Sequence, residues 1–333
     1  MDKELKNRIE DKYGSLRSFD SDSVGMAHSI FFLEFQNGRN MVLKVAGEDL
    51  DFRFEREPYV LKELGAKNLS VPEVVEFEIS RGEEELSYLL MEKIEGQNIN
   101  SYSDGRKFKY LSEKVKEKLV KESAKQLNCI HSSTSYHNFG AFRAGIEKQY
   151  ESNKWSETLL QILQKNELGG IRDGEFSHLH SKAENFLKEN ISQLNTDSRP
   201  VMVHQDFSFK NMIVQGEKIR AVIDWERAIS GHRELDLFKF ERSISSKFRT
   251  KNIGEKYGEL LIQEYQSEHS LESGWEERRN IYMLISLVET MWTYEEWSKN
   301  IPQKIRKKIK KNMEKEFENR VSKRQTDIFQ HMD

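Results

Sequence analysis

The stretch Val203-His204-Gln205-Asp206-Phe207-Ser208-Phe209-Lys210-Asn211, followed closely by Val222-Ile223-Asp224-Trp225-Glu226, decides the reading of this chain. Its spacing, H-x-D-x-x-x-x-N and then I-D-W-E, supplies one carboxylate near a nucleophile and two oxygen ligands for a divalent metal. Phosphoryl transfer rests on positioning and charge neutralisation more than on covalent chemistry, so an Asp, an Asn and a second Asp around magnesium form a sufficient core. Hard cations select such oxygen ligands. Residues 212–214 and 219–223 are β-branched runs on either side of Gln215-Gly216-Glu217-Lys218, which predicts a hairpin. A hairpin carries Asn211 and Asp224 to the same end, side by side around one ion.

At these residues the chain resembles the aminoglycoside phosphotransferase and choline kinase-like family, small-molecule relatives of the protein kinases. The resemblance implies Asp206 as catalytic base, Asn211 and Asp224 as magnesium ligands, and ATP with Mg2+ as the phosphate source. His204 reads as a structural histidine that holds the loop. Gly231-His232-Arg233-Glu234-Leu235-Asp236-Leu237 resembles the family's G-D-P-x-x-D-L run. Asp236 matches its buried, loop-bracing aspartate, while His232 and Arg233 replace the usual Asp-Pro. Ordinary protein kinases carry a Lys where this chain has Ser208, D-F-G where it has Asp224-Trp225-Glu226, and often an Arg where it has Gln205. No A-P-E segment follows. A small-molecule kinase is favoured over a protein kinase, and the complete metal-binding set favours catalysis over a nucleotide-binding pseudokinase.

A kinase reading requires a strand lysine, a helix glutamate and a phosphate-covering loop in the amino-terminal part. Residues 30–35 and 41–45 are apolar runs around Asn37-Gly38, a type I′ hairpin signal. Period-two alternation puts Val42 and Lys44 on one face, with Val42 over the adenine and Lys44 at the α- and β-phosphates. Residues 54–64 predict a helix on which Glu57, Val60, Leu61 and Leu64 share a stripe. A glutamate there needs a cation, and Lys44 is the expected partner, with Glu55 as the alternative. Pro58 places the helix start near Glu55 or a kink at that point. Gly25, in the turn 22–29, stands where the family covers the phosphates, and such small residues let backbone N–H groups approach anionic oxygens. Residues 86–91 predict a fifth strand. By resemblance, the Glu92 carbonyl and the Ile94 amide then meet the adenine edge, and Ile213 and Ile223 close the slot from below or serve as core isoleucines.

Composition bounds the rest. Of 333 residues 33% are charged, yet the net charge is −3, which gives no global reason to expect nucleic acid as a partner. One cysteine, Cys129, excludes an internal disulfide and suits a reducing cytoplasm. No apolar run has membrane-spanning length and the amino terminus is not signal-like, so no membrane role is expected. Helices are predicted over 113–131 and 275–297, with a mostly helical segment between 140 and 200. Cys129 and His131 read as packed or capping residues, and His178 and His180, two apart, point away from each other rather than to a shared metal. Glu289, Trp292 and Glu296 share a helix face. That face could bind a cationic, amine-bearing acceptor through charge and cation–π attraction, but such spacing more often describes core plus solvated surface. Residues 304–315 predict a basic amphipathic packing helix. The expected fold is α+β and bilobal, protein kinase-like: residues 1–95 form a nucleotide-binding lobe, an antiparallel five-stranded sheet plus a helix, and residues 96–333 a larger, mainly helical catalytic lobe. The expected reaction moves the γ-phosphate of ATP to a hydroxyl of a small molecule.

Overall fold

In the computed structural model the described residues are all but 1, 23–27, 48–51, 81–85, 99–107, 109–110, 144–147, 247–250 and 331–333. Gly25 therefore lies outside the described residues. The first helix, α1 (Lys3–Tyr13), starts where the Asp2 carboxylate accepts from the backbone N–H groups of Glu4 and Leu5. It is followed by β1 (Leu16–Asp22), β2 (His28–Phe35), β3 (Asn40–Ala46), α2 (Phe52–Ala66), β4 (Val74–Glu78) and β5 (Tyr88–Glu92). The strands form one antiparallel sheet of order β1-β2-β3-β5-β4. Alternation along β3 sends Met41, Leu43 and Val45 into a small core with Leu5 and Ile9 of α1. Val42 instead packs with the core that holds Phe54, Leu61 and Leu64 of α2. Lys44 shares that second face, and so points at α2.

Two local expectations are corrected. The β2–β3 turn is not a two-residue Asn37-Gly38 loop, because Phe35 N–H bonds the Arg39 carbonyl (2.9 Å) and Gly38 N–H the Phe35 carbonyl (3.0 Å). Three residues, 36–38, make the loop. Gly38 alone has positive φ (+84°) there, the geometry of a type I turn closed by a left-handed glycine. Helix α2 begins at Phe52, so Pro58 sits in its second turn rather than its first. Proline leaves the Phe54 carbonyl without its helical partner. Bonds from the residues just before the proline hold the helix: Arg56 Nη1 donates to the Ala228 carbonyl (3.1 Å), and Glu57 binds Lys44 and the Trp225 N–H.

A short strand, β6 (Gln97–Asn98), then leads to α3 (Glu113–Ser133), β7 (Phe139–Phe142), β8 (Lys148–Ser152), α4 (Trp155–Lys165), α5 (Glu167–Arg172) and α6 (His180–Asn190). After them come β9 (Val201–Val203), β10 (Met212–Gln215), β11 (Lys218–Val222) and β12 (Ile229–Gly231). The carboxy-terminal helices are α7 (Glu234–Ser246), α8 (Lys251–Gln266), α9 (Trp275–Trp292), α10 (Tyr294–Ser298) and α11 (Gln303–Gln330). Strands β7 and β8 interrupt the segment expected to be helical. They join a four-stranded sheet of order β8-β7-β12-β9 that sets the catalytic stretch at the end of β9. The long helix expected over 275–297 ends at Trp292, and Thr293 breaks it before α10.

The hairpin β10–β11 is as expected, with a two-residue loop in which Gly216 has φ +64°. Its edges tie the two parts together: Val222 N–H donates to the Ser70 carbonyl (2.8 Å), and β6 pairs with β10. Gly96, at φ +142°, makes this approach possible, since a Cβ would lie 2.7 Å from Ile213 Cγ2 and 2.8 Å from the Val214 carbonyl oxygen. Gly96→Ala combines a strained backbone with overpacking, and is expected to lower stability by about 1–3 kcal/mol. Urea denaturation with unchanged stability would contradict this packing.

Candidate active site

Strand β9 stops at Val203, and the next residues are fixed from three sides. Both oxygens of the buried Asp236 carboxylate accept backbone N–H groups, from His204 (2.7 Å) and Gln205 (2.8 Å). Gln205 adopts φ +67°, and its Nε2 donates to the Arg227 carbonyl (3.0 Å). His204 is buried against the Trp225 ring, at 4.5 Å between centroids. Its Nε2 lies 3.0 Å from the Ile223 carbonyl, and Nδ1 accepts the Asp206 N–H (3.3 Å). The tautomer with the proton on Nε2 satisfies both contacts. His204 thus ties the catalytic loop to the end of β11, as its structural reading required.

This frame presents the Asp206 carboxylate. Lys210 Nζ lies 2.6 Å from its Oδ2. Asn211 Nδ2 donates to the Asp206 carbonyl (2.9 Å) and to Oδ2 (3.1 Å), which turns Asn211 Oδ1 the other way. Lys210 was not foreseen as part of the site. Its i+4 position from Asp206 becomes a contact through the short 3-10 turn Phe209–Asn211.

Across the hairpin, Ile223 N–H bonds the Asn211 carbonyl (2.9 Å), so Asp224 follows directly beside Asn211. Asp224 has φ +66°, a rare conformation for a non-glycine residue that turns the chain sharply. Trp225 then plunges into the core, and Glu226 returns to the side of Asp224. Lys44 Nζ meets all the acids there: Glu57 Oε2 at 2.7 Å, Asp224 Oδ1 at 3.2 Å and Glu226 Oε2 at 2.8 Å. His28 Nε2 lies 3.3 Å from Glu226. The expected Lys44–Glu57 pair is formed, and Glu226 is an addition that the I-D-W-E motif contained but that was assigned no role.

One ammonium shared by three carboxylates leaves negative charge in surplus. Burial works against the charged Lys44, but Glu57, Asp224 and Glu226 overcome it and raise its pKa. Burial also opposes the Glu226 carboxylate, yet His28 and Lys44 hold its pKa below the ordinary value. Glu57, the most enclosed, goes the other way. Burial outweighs Lys44 there, and repulsion from Asp224 and Glu226 adds to it, so its pKa rises. Among the described residues, Glu57, Asp224 and Glu226 bring ligand oxygens within 4.8 Å of one another. A hard, oxygen-rich and electron-rich set of this kind fits magnesium.

The other residues expected at a nucleotide lie on β3, β5, the connection after β5 and the β10–β11 hairpin. Val42 lies opposite Met91 in the β3–β5 ladder, and Lys44 opposite Leu89. Glu92 ends β5, with Ile94 in the connection to β6. Ile213 and Ile223 are half-buried rather than sealed in the core.

On the other side of the catalytic loop, the acidic–aromatic face expected on one long helix is not formed. Helix α9 ends at Trp292, and Glu289 is half-buried, bound to Arg227 Nη1 and to Lys239 Nζ at 2.7 Å. Glu167 also reaches Arg227, at 3.4 Å, while its Oε2 is buried without a hydrogen-bond partner. The two glutamates therefore divide unequally. Burial opposes the charged form of Glu289, but Arg227 and Lys239 bring its pKa down to about 2. Burial and then the Glu289 charge push Glu167 up to about 7. Elsewhere, His131 Nδ1 contacts the Tyr265 hydroxyl (2.8 Å) and His178 contacts Glu314 (3.4 Å).

The profile of the family described as "Phosphotransferase enzyme family" matches residues 22–280. Among solved structures, the chain is similar to a thermostable mutant of aminoglycoside phosphotransferase APH(4)-Ia in its apo form, at TM-score 0.68 and 19% identity over 96% of this chain and 98% of that one. A protein described as a fructosamine-3-kinase from Thermobifida fusca YX-ER1 matches at TM-score 0.61 and 18% identity, over 86% of this chain and 92% of that one. The gentamicin complex of APH(2")-IIa matches at TM-score 0.58 and 18% identity, over 96% of each chain. No curated protein sequence matches the chain. The fold is thus the bilobal, kinase-like one.

Lys44→Met leaves three carboxylates without their ammonium, and removing one side of a buried ion pair typically costs about 3–5 kcal/mol. A loss of that size is expected in denaturant titration without divalent metal; a loss below about 1 kcal/mol, the value of an exposed pair, would contradict the cluster. For Glu167, the raised pKa contributes stability that is complete below its ordinary value of 4.5 and lost as pH rises through about 7. Glu167→Gln is therefore expected to gain on the wild type by on the order of 1–3 kcal/mol between about pH 5 and pH 8. Parallel stability curves over that range would contradict the assignment.

Proposed function

The chain belongs to the phosphotransferase enzyme family and is a small-molecule kinase, and from that premise we propose that it moves the γ-phosphate of ATP to a hydroxyl of a small acceptor with the groups around Asp206 and Lys44. The observation that carries this reading is the hairpin geometry. A single backbone bond, Ile223 N–H to the Asn211 carbonyl, joins the loop that holds Asp206 to the acid cluster around Lys44.

Asp206 orients the acceptor hydroxyl and takes its proton, with Asn211 fixing the carboxylate's angle and Lys210 balancing its charge. Lys44, braced by Glu57, meets the α- and β-phosphates, which compete with Glu226 for its ammonium. Val42 covers the adenine, Ile213 and Ile223 close its slot, and the Glu92 carbonyl and Ile94 amide meet its edge. Magnesium, when bound, neutralises the triphosphate, and the donors that fit it are Asn211 Oδ1 and the carboxylates of Asp224 and Glu226. The division between the nucleotide and acceptor parts falls at residues 95 and 96, where Gly96 packs on Ile213.

Similar folds hold AMP-PNP with hygromycin B in one case and gentamicin in another, which supports a nucleotide donor and a small hydroxylated acceptor. No described helix is long and apolar enough to cross a membrane, and the lone Cys129 suits the cytoplasm.

A panel of hydroxylated amines, antibiotics, acids and sugars, screened for acceptor-dependent ADP release, tests the reaction. With any acceptor found, Asp206→Asn is expected to lower kcat by roughly two to four orders of magnitude. Its stability should change little, because an Asn side chain keeps an oxygen that accepts from Asn211, and the bond from Asn211 to the backbone carbonyl of residue 206 is untouched. Equal turnover by wild type and variant would contradict the role given to Asp206.

A further inference from the structure

Lys210 has a pinned backbone and a side chain that is free to move. Phe209, the residue before it, is buried, stacked on Phe108 at 4.4 Å between centroids and set edge-on to Phe240 at 5.1 Å. The Lys210 carbonyl accepts from Asn98 Nδ2 of β6, and the next residue's N–H bonds the Ser208 carbonyl (2.9 Å). The side chain beyond is 54% exposed, and its ammonium lies 2.6 Å from Asp206 Oδ2.

That contact is not needed to set the angle of the Asp206 carboxylate. Asn211 Nδ2 already does so, since it donates both to the Asp206 carbonyl and to Oδ2. Asp206 Oδ1 has no partner among the described residues, so one oxygen stays open to an acceptor hydroxyl while Oδ2 holds the two donors. Lys210 therefore contributes charge rather than shape.

The other cations described around the site are committed to acids. Lys44 lies among Glu57, Asp224 and Glu226, Arg227 is paired with Glu289 and Glu167, and Lys239 is paired with Glu289. Among the described residues, the Lys210 ammonium pairs with Asp206 alone. Asp224 attracts it too, from across the hairpin, and Arg227 repels it. An ammonium in the field of both aspartates faces the gap that a phosphoryl group crosses between nucleotide and acceptor.

From this placement we propose that Lys210 is a further catalytic residue, whose ammonium grips the γ-phosphate of bound ATP and stays on it through transfer. The inference rests on the kinase reading of Asp206 and adds a phosphate contact to that same site. Charge in the transition state spreads over the three equatorial oxygens of the phosphoryl group, and a cation already in place beside them stabilises it. A long, unbranched side chain on a fixed Cα carries its ammonium from Oδ2 to one of these oxygens without moving the loop. The acceptor hydroxyl oxygen bonds to the γ-phosphorus, the bond from that phosphorus to the β–γ bridging oxygen breaks with its electron pair leaving on ADP, and the hydroxyl proton passes to Asp206 Oδ1. Lys210 keeps its protons throughout.

ATP and ADP differ by the γ-phosphate, so calorimetric titration of the full chain with MgATP and with MgADP reads this contact without an acceptor. Lys210→Met is expected to weaken MgATP about tenfold, the equivalent of about 1.4 kcal/mol, and MgADP by less than about twofold. Lys210→Arg keeps the cation and should recover most of the loss. Lys210→Gln keeps an N–H donor for Asp206 without the charge, and should not. Equal weakening of both nucleotides, weakening of neither, or MgATP affinity restored by Lys210→Gln overturns the proposal while leaving the kinase reading standing. A wild-type chain that binds neither nucleotide would instead strike the kinase reading beneath it.

Discussion

The Lys44 ammonium, held among the carboxylates of Glu57, Asp224 and Glu226, is the interaction on which the arrangement of the cleft depends. Each partner arrives on a different element: Lys44 on β3, Glu57 on α2, and the other two just past β11. Glu57 fixes the geometry twice over, because its second oxygen accepts the Trp225 N–H at 3.0 Å. One buried cluster thereby sets the sheet, the helix and the hairpin relative to one another. It is also electrostatically incomplete, since three acids share one ammonium, with Glu57 and Lys44 buried and Asp224 open to solvent. Such a surplus is tolerated where a further cation completes it.

The catalytic loop balances this in the opposite sense. Asp236 ties two backbone N–H groups and His204 ties the loop to Ile223, while the Asp206 carboxylate meets Asn211 and Lys210 through Oδ2. On the far side stand Arg227, Arg56 and Lys165. Arg227 is itself paired there with Glu289 and Glu167.

Much of this was legible in the sequence where residue type and spacing act locally. The hairpin around Gly216, the pairing of Lys44 with Glu57, and the bracing role of Asp236 follow from alternation, helical periodicity and a strong motif. What was not legible depends on contacts far along the chain. Helix α2 runs through Pro58 because Lys44 and the Ala228 carbonyl hold the residues before it. The loop after β2 takes three residues because Phe35 pairs with Arg39, a choice of register that Asn37-Gly38 alone does not make. Strands β7 and β8 are short and lie among helix formers; β7 exists as the partner of β12, and β8 as the partner of β7. Glu226 joined the site only because Asp224 takes a left-handed turn, and Glu289 is drawn from the open helix face because Arg227 and Lys239 bind it.

The central claim is that the acid cluster around Lys44 is built to receive a triphosphate together with a divalent cation. Calorimetric titration of ATP into the wild-type chain, with and without magnesium, addresses it most directly. Tighter binding by a factor of ten or more with magnesium, about 1.4 kcal/mol, is the expected result. Equal affinity in the two titrations would contradict the account, because three carboxylates facing a bare triphosphate should repel it.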